Sequence, residues 1–354
     1  MRTLLILLVA LISPAPPRTI DTLAGTGQAG SGGDGGPASA ATLREPFHCE
    51  PDGKGGLLIA DAAAGRIRRV DLASGRISTV AGDGPADPGT TVGTPYAVAA
   101  DPDGNLYLVD QKTPVVRKLD GKTGRLSILA GTGAKGSGGD GGPASKATLR
   151  EPNDCCLDGK GGLLIADVAD WRVRRVDLGT GIITTFAGIG KPPKRPDRSK
   201  VGDGGPAREA VIVGARGVCV DGRGNTYICE REGNAVRMVD PSGTISTIAG
   251  TGAEGYSGDG GDALHATFRG PKGIRADSEG NLFVVDTENH AIRRVDARTR
   301  GVSTVAGGHK GPDGDGGDAT RAGLDRPHGC VVGPDGTLYI ADSNNHRVRR
   351  VRAR

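Results

Sequence analysis

Residues 24–46 read AGTGQAGSGGDGGPASAATLREP and residues 130–152 read AGTGAKGSGGDGGPASKATLREP, differing only at Gln28/Ala134, Ala29/Lys135 and Ala40/Lys146. Looser copies begin at Val201, Ala249 and Ala306, and a shortened relative begins at Ala81. A segment recurring at this spacing restricts the chain to architectures built by repetition, because each copy marks one supersecondary unit. Close glycines with a lysine among them suggest a loop that cradles a phosphate. A dinucleotide fingerprint, however, follows a strand, opens a helix and sits within a βαβ unit. Here the copies lie between short strand patterns, and the copy at 24–46 lacks the lysine. The Gly-rich stretches therefore read as scaffold, with no nucleotide affinity expected.

The sequence after each Gly-rich stretch also repeats. Residues 271–307 contain GIRAD, NLFVVD, AIRRVD and VSTVAG, separated by SEGN, ENH and similar turn residues. Short β-branched runs between such turns predict four antiparallel strands. The acid closing the second strand counts the units: Asp61, Asp110, Asp167, Glu230, Asp286 and Asp342. Six four-stranded units predict an all-β, six-bladed β-propeller. The last unit stops after a third strand, RVRRVRAR, whereas TIDTLAG (19–25) is a fourth strand without its first three. The N-terminal strand is thus expected to complete the last blade and close the ring, leaving no exposed sheet edge there.

Composition narrows what such a ring could do. The chain has 354 residues, 62 of them glycine, without the period of collagen. Five Tyr, four Phe and one Trp leave a core of Val, Ile, Leu and Ala. The net charge of +4 is small and spread out, so no nucleic-acid partner is implied. The start, MRTLLILLVALISPAPP, has a basic residue and then an apolar run too short to span a bilayer. Residues 1–17 are expected to be a signal peptide and 18–354 one propeller domain, secreted or periplasmic. No later stretch could cross a membrane, and a monomer is expected. None of the six cysteines has zinc-like spacing. Cys219 and Cys229 flank a tight turn and could face each other across a hairpin, although buried free thiols are favoured.

The motifs NHAIRRV (289–295), NNHRVRRV (344–351), DGNLYLVD (103–110) and PDGTLYIAD (334–342) resemble NHL-repeat propellers over residues 19–354. The resemblance implies the fold but not one function, because NHL relatives include enzymes, receptors and binding scaffolds. It also implies that ligands bind at the end where inner strands start and second strands turn into third. A metal-dependent hydrolase, lactonase or lyase in the central channel is the alternative. His48 and His328 are too few for a catalytic zinc, which takes three ligands and an open position. Glu50, Asn153 and Asp154 are the only lactonase-like set on inner strands and cover two blades. No cofactor is therefore assigned; a divalent metal in the channel would lack a full ligand set.

Two further patterns carry structural readings. The aspartates of GDGG (Asp34, Asp140, Asp203, Asp259 and Asp315) read as Asx-turns, because calcium would need more oxygen donors per loop. The arginines of RIRRVD and its copies read as partners of the second-strand acids: Arg68 with Asp61, Arg174 with Asp167 and Arg293 with Asp286, forming a ladder between blades.

The near-duplicate units one and three differ where FHCEP (47–51) becomes NDCCL (153–157) and AAAG (62–65) becomes VADW (168–171), both at the ligand end. The candidate ligand-binding residues there are His48, Tyr96, Asp154, Arg216, Lys272 and His328 at the mouth, with Trp171, His290 and His346 at loop tips. This set suits a protein or a small polar, possibly anionic, ligand. Trp171 is expected to be an exposed contact. The basic insert IGKPPKRPDRSKVG (189–202), stiffened by Pro192, Pro193 and Pro196, offers a further positive surface.

Overall fold

The structure, a computed structural model, describes residues 18–82, 91–191 and 201–352. The expected signal segment 1–17 and residues 192–200 of the basic insert lie outside the described residues. Six four-stranded antiparallel sheets form the blades of a β-propeller. Blade one runs over residues 46–81, blade two over 95–130, blade three over 152–187, blade four over 215–249 and blade five over 273–307; strands between 329 and 351 begin blade six.

Blade six is completed by Ile20–Ala24, which lies antiparallel to Arg347–Val351. Ile20 pairs with Val351 and Asp21 with Arg350. The Asp21 carboxylate takes a two-pronged contact from the Arg350 guanidinium at 2.9 and 3.0 Å, and Arg352 adds a third bond at 2.7 Å. The ring is therefore closed by pairing the first described strand with the last, as the spare and missing strands predict.

Second strands such as Gly56–Asp61 and Gly162–Asp167 are buried along their whole length, because both faces meet neighbouring blades. That is why they read as continuous apolar runs rather than alternating ones. The core is divided into six clusters, each filling the wedge between two consecutive blades. The Gly-rich linkers supply part of each filling. Ala144, Ala147 and Leu149, for instance, pack between Val109 of blade two and Ile165 of blade three. Glycine is required where the linker folds over: Gly139 has φ +97°, and a Cβ there would stand 2.6 Å from the Ala147 Cα. The linker scaffold is thus a structural wedge.

The GDGG aspartates correct the local-turn reading. Asp34 accepts from the fully buried Arg68 at 2.8 Å and from the Thr79 hydroxyl at 2.7 Å. Asp140 does the same for Arg174 and Thr185, at 2.5 and 2.6 Å. Asp203, Asp259 and Asp315 hold Arg237, Arg293 and Arg349. The second-strand acids are secondary partners, with Arg68–Asp61 at 3.7 Å and Arg293–Asp286 at 3.5 Å. Arg174 takes Asp170 at 3.9 Å where the sequence suggested Asp167. In five of the six blades the arginine therefore pins the blade to the linker that leads into it, in place of a ladder between blades; in blade two Arg117 meets the second-strand Asp110 at 3.3 Å.

The second-strand acids act on the backbone. Asp61 accepts the Arg44 N–H at 2.6 Å, Asp286 that of Arg269 at 2.7 Å and Asp342 that of Asp325 at 2.7 Å. Each ties down the residues just before an inner strand. Cys219 pairs with Tyr227 and Cys229 with Gly217, so the two cysteines do not face each other, and all six thiols are free.

Deleting residues 19–25 should expose the edge of Arg347–Val351 and empty the space of the fully buried Ile20. We expect the melting temperature to fall by on the order of 10 °C, read by calorimetry. An unchanged transition would contradict closure by this strand.

Candidate functional site

The six inner strands line the central channel, and their first residues form its mouth. Glycines let these strands converge: Gly217, Gly273 and Gly329 lie against the backbone of the next blade, where a Cβ would come within 3.0, 2.8 and 2.6 Å of a carbonyl oxygen. The structure gathers His48, Tyr96, Asp154, Arg216, Lys272 and His328 at this end, together with Phe47, Asn153 and Arg275. Trp171, His290 and His346 stand outside this group. Trp171 is half-buried rather than exposed and holds a left-handed φ of 57° at the turn where blade one has Gly65. His290 and His346 hold the same backbone conformation and act as latches, because each Nδ1 accepts a backbone N–H of the next blade's linker, from Arg326 at 3.1 Å and Glu45 at 3.2 Å.

The mouth is filled by its own side chains. Phe47 stacks on His328 at 4.2 Å and meets Tyr96 edge-on at 4.7 Å, and the Arg216 guanidinium lies 5.1 Å from the centre of the Tyr96 ring. The space left is ≈ 20 Å³, about enough for one water.

Below this layer, Arg275 of blade five crosses the axis. It donates to Asp154 of blade three at 3.1 Å and to the Val218 carbonyl of blade four at 3.2 Å, and it contacts His48 Nε2 of blade one. Asp154 in turn accepts the Val218 N–H at 3.0 Å. Burial works to raise the Asp154 carboxyl, but Arg275, His48 and the Val218 N–H together outweigh it and hold the group below its ordinary value. Burial, reinforced by Arg275, pushes His48 down to about 3, so the imidazole is neutral. Sequence reasoning missed Arg275. The available signal was an arginine at the inner-strand position held by Ala99, Cys156, Cys219 and Val331 in other blades.

The opposite end of the channel opens into a funnel of ≈ 630 Å³ walled by the ends of all six inner strands. Glu50 lies there, 3.6 Å from Arg275, with a quarter of its side chain exposed to the funnel and burial raising its carboxyl to about 7. Among the described residues, no group of three or more His, Cys, Asp or Glu is placed to hold a metal ion.

Lys272 is a strongly perturbed cation at the mouth. Its Nζ lies 3.1 Å from His328 Nε2 and 3.4 Å from Glu288. Burial, then Arg216 and Arg326, pull it from 10.5 down to about 7 against the opposing Glu288 carboxylate. Glu288 is shared, accepting from Arg326 at 2.6 Å. Beside it, a surface groove of ≈ 590 Å³ carries Arg231, Arg269, Lys310 and Arg326 against Glu232, Glu254 and Glu288, with His290 in its wall.

A family model described as NHL repeat matches residues 268–294 and 324–351, and one described as Teneurin NHL domain matches residues 184–255. The chain is an NHL-repeat β-propeller. Teneurin-1 of Mus musculus is 27% identical over 234 residues, 60% of this chain and 8% of teneurin-1. NHL repeat-containing protein 2 of Bos taurus is 27% identical over 186 residues, 50% of this chain and 25% of that protein. The NHL propeller thus spans a quarter or less of the curated relatives it matches. Among solved structures, an auxiliary nutrient binding protein from Bacteroides ovatus superposes with a TM-score of 0.69 at 14% identity, covering 95% of this chain and 76% of that one. That likeness concerns the fold. No helix of the described residues is long and apolar enough to cross a membrane.

Replacing Asp154 with Ala should leave the Arg275 charge buried across the axis. We expect a loss of about 3–5 kcal/mol in urea denaturation. A loss below about 1 kcal/mol would make the axial cluster no more important than a surface ion pair.

Proposed function

We propose that this NHL-repeat propeller is an exported binding scaffold whose mouth-side face holds a partner presenting a carboxylate or similar acidic group. The observation that carries this reading is the convergence of cations on one side of the mouth. Arg231, Arg269, Lys310 and Arg326 line the groove and Arg216 and Lys272 stand behind it, six cations against four carboxylates, Glu232, Glu254, Asp325 and Glu288, each paired to one groove cation. Glu288 already bridges Lys272 and Arg326, which displays the geometry a ligand carboxylate would use. The filled mouth favours contact across the face over deep insertion. Positive potential focused in a concave surface raises both the rate of encounter and the preference for anionic partners.

The test is titration calorimetry with citrate and with a short glutamate peptide, at low and high salt. The parent should bind at low salt and weaken by about tenfold or more at high salt. A variant carrying Arg231→Ser, Lys310→Ser and Arg326→Asn should lose most of that binding; Asn suits the left-handed φ of 46° at position 326. Equal binding by the variant and the parent would remove the groove from the reading.

A further inference from the structure

We propose that the Lys272 amine is a nucleophile at neutral pH and captures small carbonyl acids, such as 2-oxo acids, as an imine at the channel mouth. The anionic half of that ligand rests on the cationic reading of the mouth given above; the amine chemistry does not.

The geometry around Lys272 fixes where protons sit. Its backbone N–H is bonded to the Val285 carbonyl at 3.0 Å, so the stem of the side chain is held. His328 Nδ1 lies 2.9 Å from the Arg326 carbonyl and 3.0 Å from Ser343 Oγ. The Arg326 carbonyl can only accept, and the Ser343 hydroxyl donates its proton to the Pro46 carbonyl at 2.6 Å. Nδ1 is therefore the protonated nitrogen, and the lone pair on Nε2 faces Lys272 Nζ at 3.1 Å. Burial and the nearby cations Lys272 and Arg216 keep that imidazole neutral. Lys272 thus donates to a neutral acceptor, so His328 offers no opposing charge to hold it as an ammonium.

The charged groups facing Lys272 come from three blades. Arg216 and Arg231 belong to blade four, Arg326 to the linker into blade six, and Glu288 to the turn of blade five. The side chain is only 6% exposed. A desolvated lysine among other cations keeps an available lone pair at neutral pH, the condition for imine formation.

The step balances without a redox partner. The Nζ lone pair attacks the carbonyl carbon, forming a C–N bond while the C=O π pair moves to oxygen. One N–H proton passes to that oxygen, with the Glu288 carboxylate placed to carry it, giving a carbinolamine. The nitrogen then forms N=C as the C–O bond breaks and water leaves with a second proton. Arg216 and Arg326, the cations next to Nζ, offer charge to the ligand's carboxylate. Because the open space of ≈ 20 Å³ holds about one water, a ligand enters only as the Phe47–Tyr96 layer moves aside, which admits short chains alone.

The test treats the native protein with glyoxylate and cyanoborohydride at neutral pH and maps labelled lysines by peptide mass spectrometry. Lys272 should be alkylated at least about tenfold faster than the exposed Lys54 and Lys112, with a midpoint near pH 7. Labelling no faster than at those two lysines would overturn the proposal. Acetaldehyde, which lacks the carboxylate, should label Lys272 more slowly. Equal rates would overturn the preference for acids, and with it the anion-binding reading of the mouth, while leaving the nucleophilic amine intact. A Glu288→Gln variant should move the labelling midpoint to lower pH by about one unit, because the carboxylate that favours the ammonium is gone. An unmoved midpoint would rule out the charge environment as the cause.

Discussion

Five arginines carried into the protein interior are the contact on which the ring depends. Arg68, Arg174, Arg237, Arg293 and Arg349 are fully buried, and a linker aspartate meets each one. An unpaired guanidinium there would be prohibitively costly, so the pair holds the Gly-rich linker against the outer half of its blade. With the linker held, its alanines and leucine fill the wedge between blades. The second-strand acid then binds the backbone just before the inner strand, and this sets the height at which Lys272, Arg216 and His328 reach the mouth. The position of the site is thus set by charges that lie outside it.

The blade plan was legible because every unit writes it again. Strand patterns, turns and the unmatched strand at each end are local features, and repetition averages out their ambiguity. The role of the GDGG aspartates was misread because an Asx-turn explains such a residue from its neighbours alone. A distant signal was nonetheless present: in all five pairs the aspartate precedes its arginine by 34 residues. The axial cluster had no such help. His48, Asp154 and Arg275 come from three blades and recur in none of the others, so no period points to them. The mouth residues were gathered as expected. Their mutual contacts, Phe47 on His328 and Arg216 over Tyr96, were not legible, because a position at the end of a strand does not say whether its side chain turns to solvent or to a neighbour.

The two ends of the channel differ in kind. At the mouth, aromatic and cationic side chains close over a neutral histidine and a lysine with a low pKa. At the far end, apolar walls open around a carboxyl whose pKa is raised. Arg275 and Asp154 lie between the two environments, and Arg275 lines both. Both environments are built from the same six strands.

Closure by Ile20–Ala24 also imposes an order in time. Ile20–Ala24 is made more than 300 residues before Arg347–Val351, its partner, and has no partner until that strand is available. Blades one to five can pair within themselves as they emerge, while the early strand waits with its hydrogen-bonding edge unsatisfied. The final event is a contact between residues more than 300 positions apart, with a correspondingly large loop-closure entropy. Until it forms, the chain is an open arc with two free ends, and any factor that shields its N-terminal strand governs whether it becomes a ring or pairs with another copy.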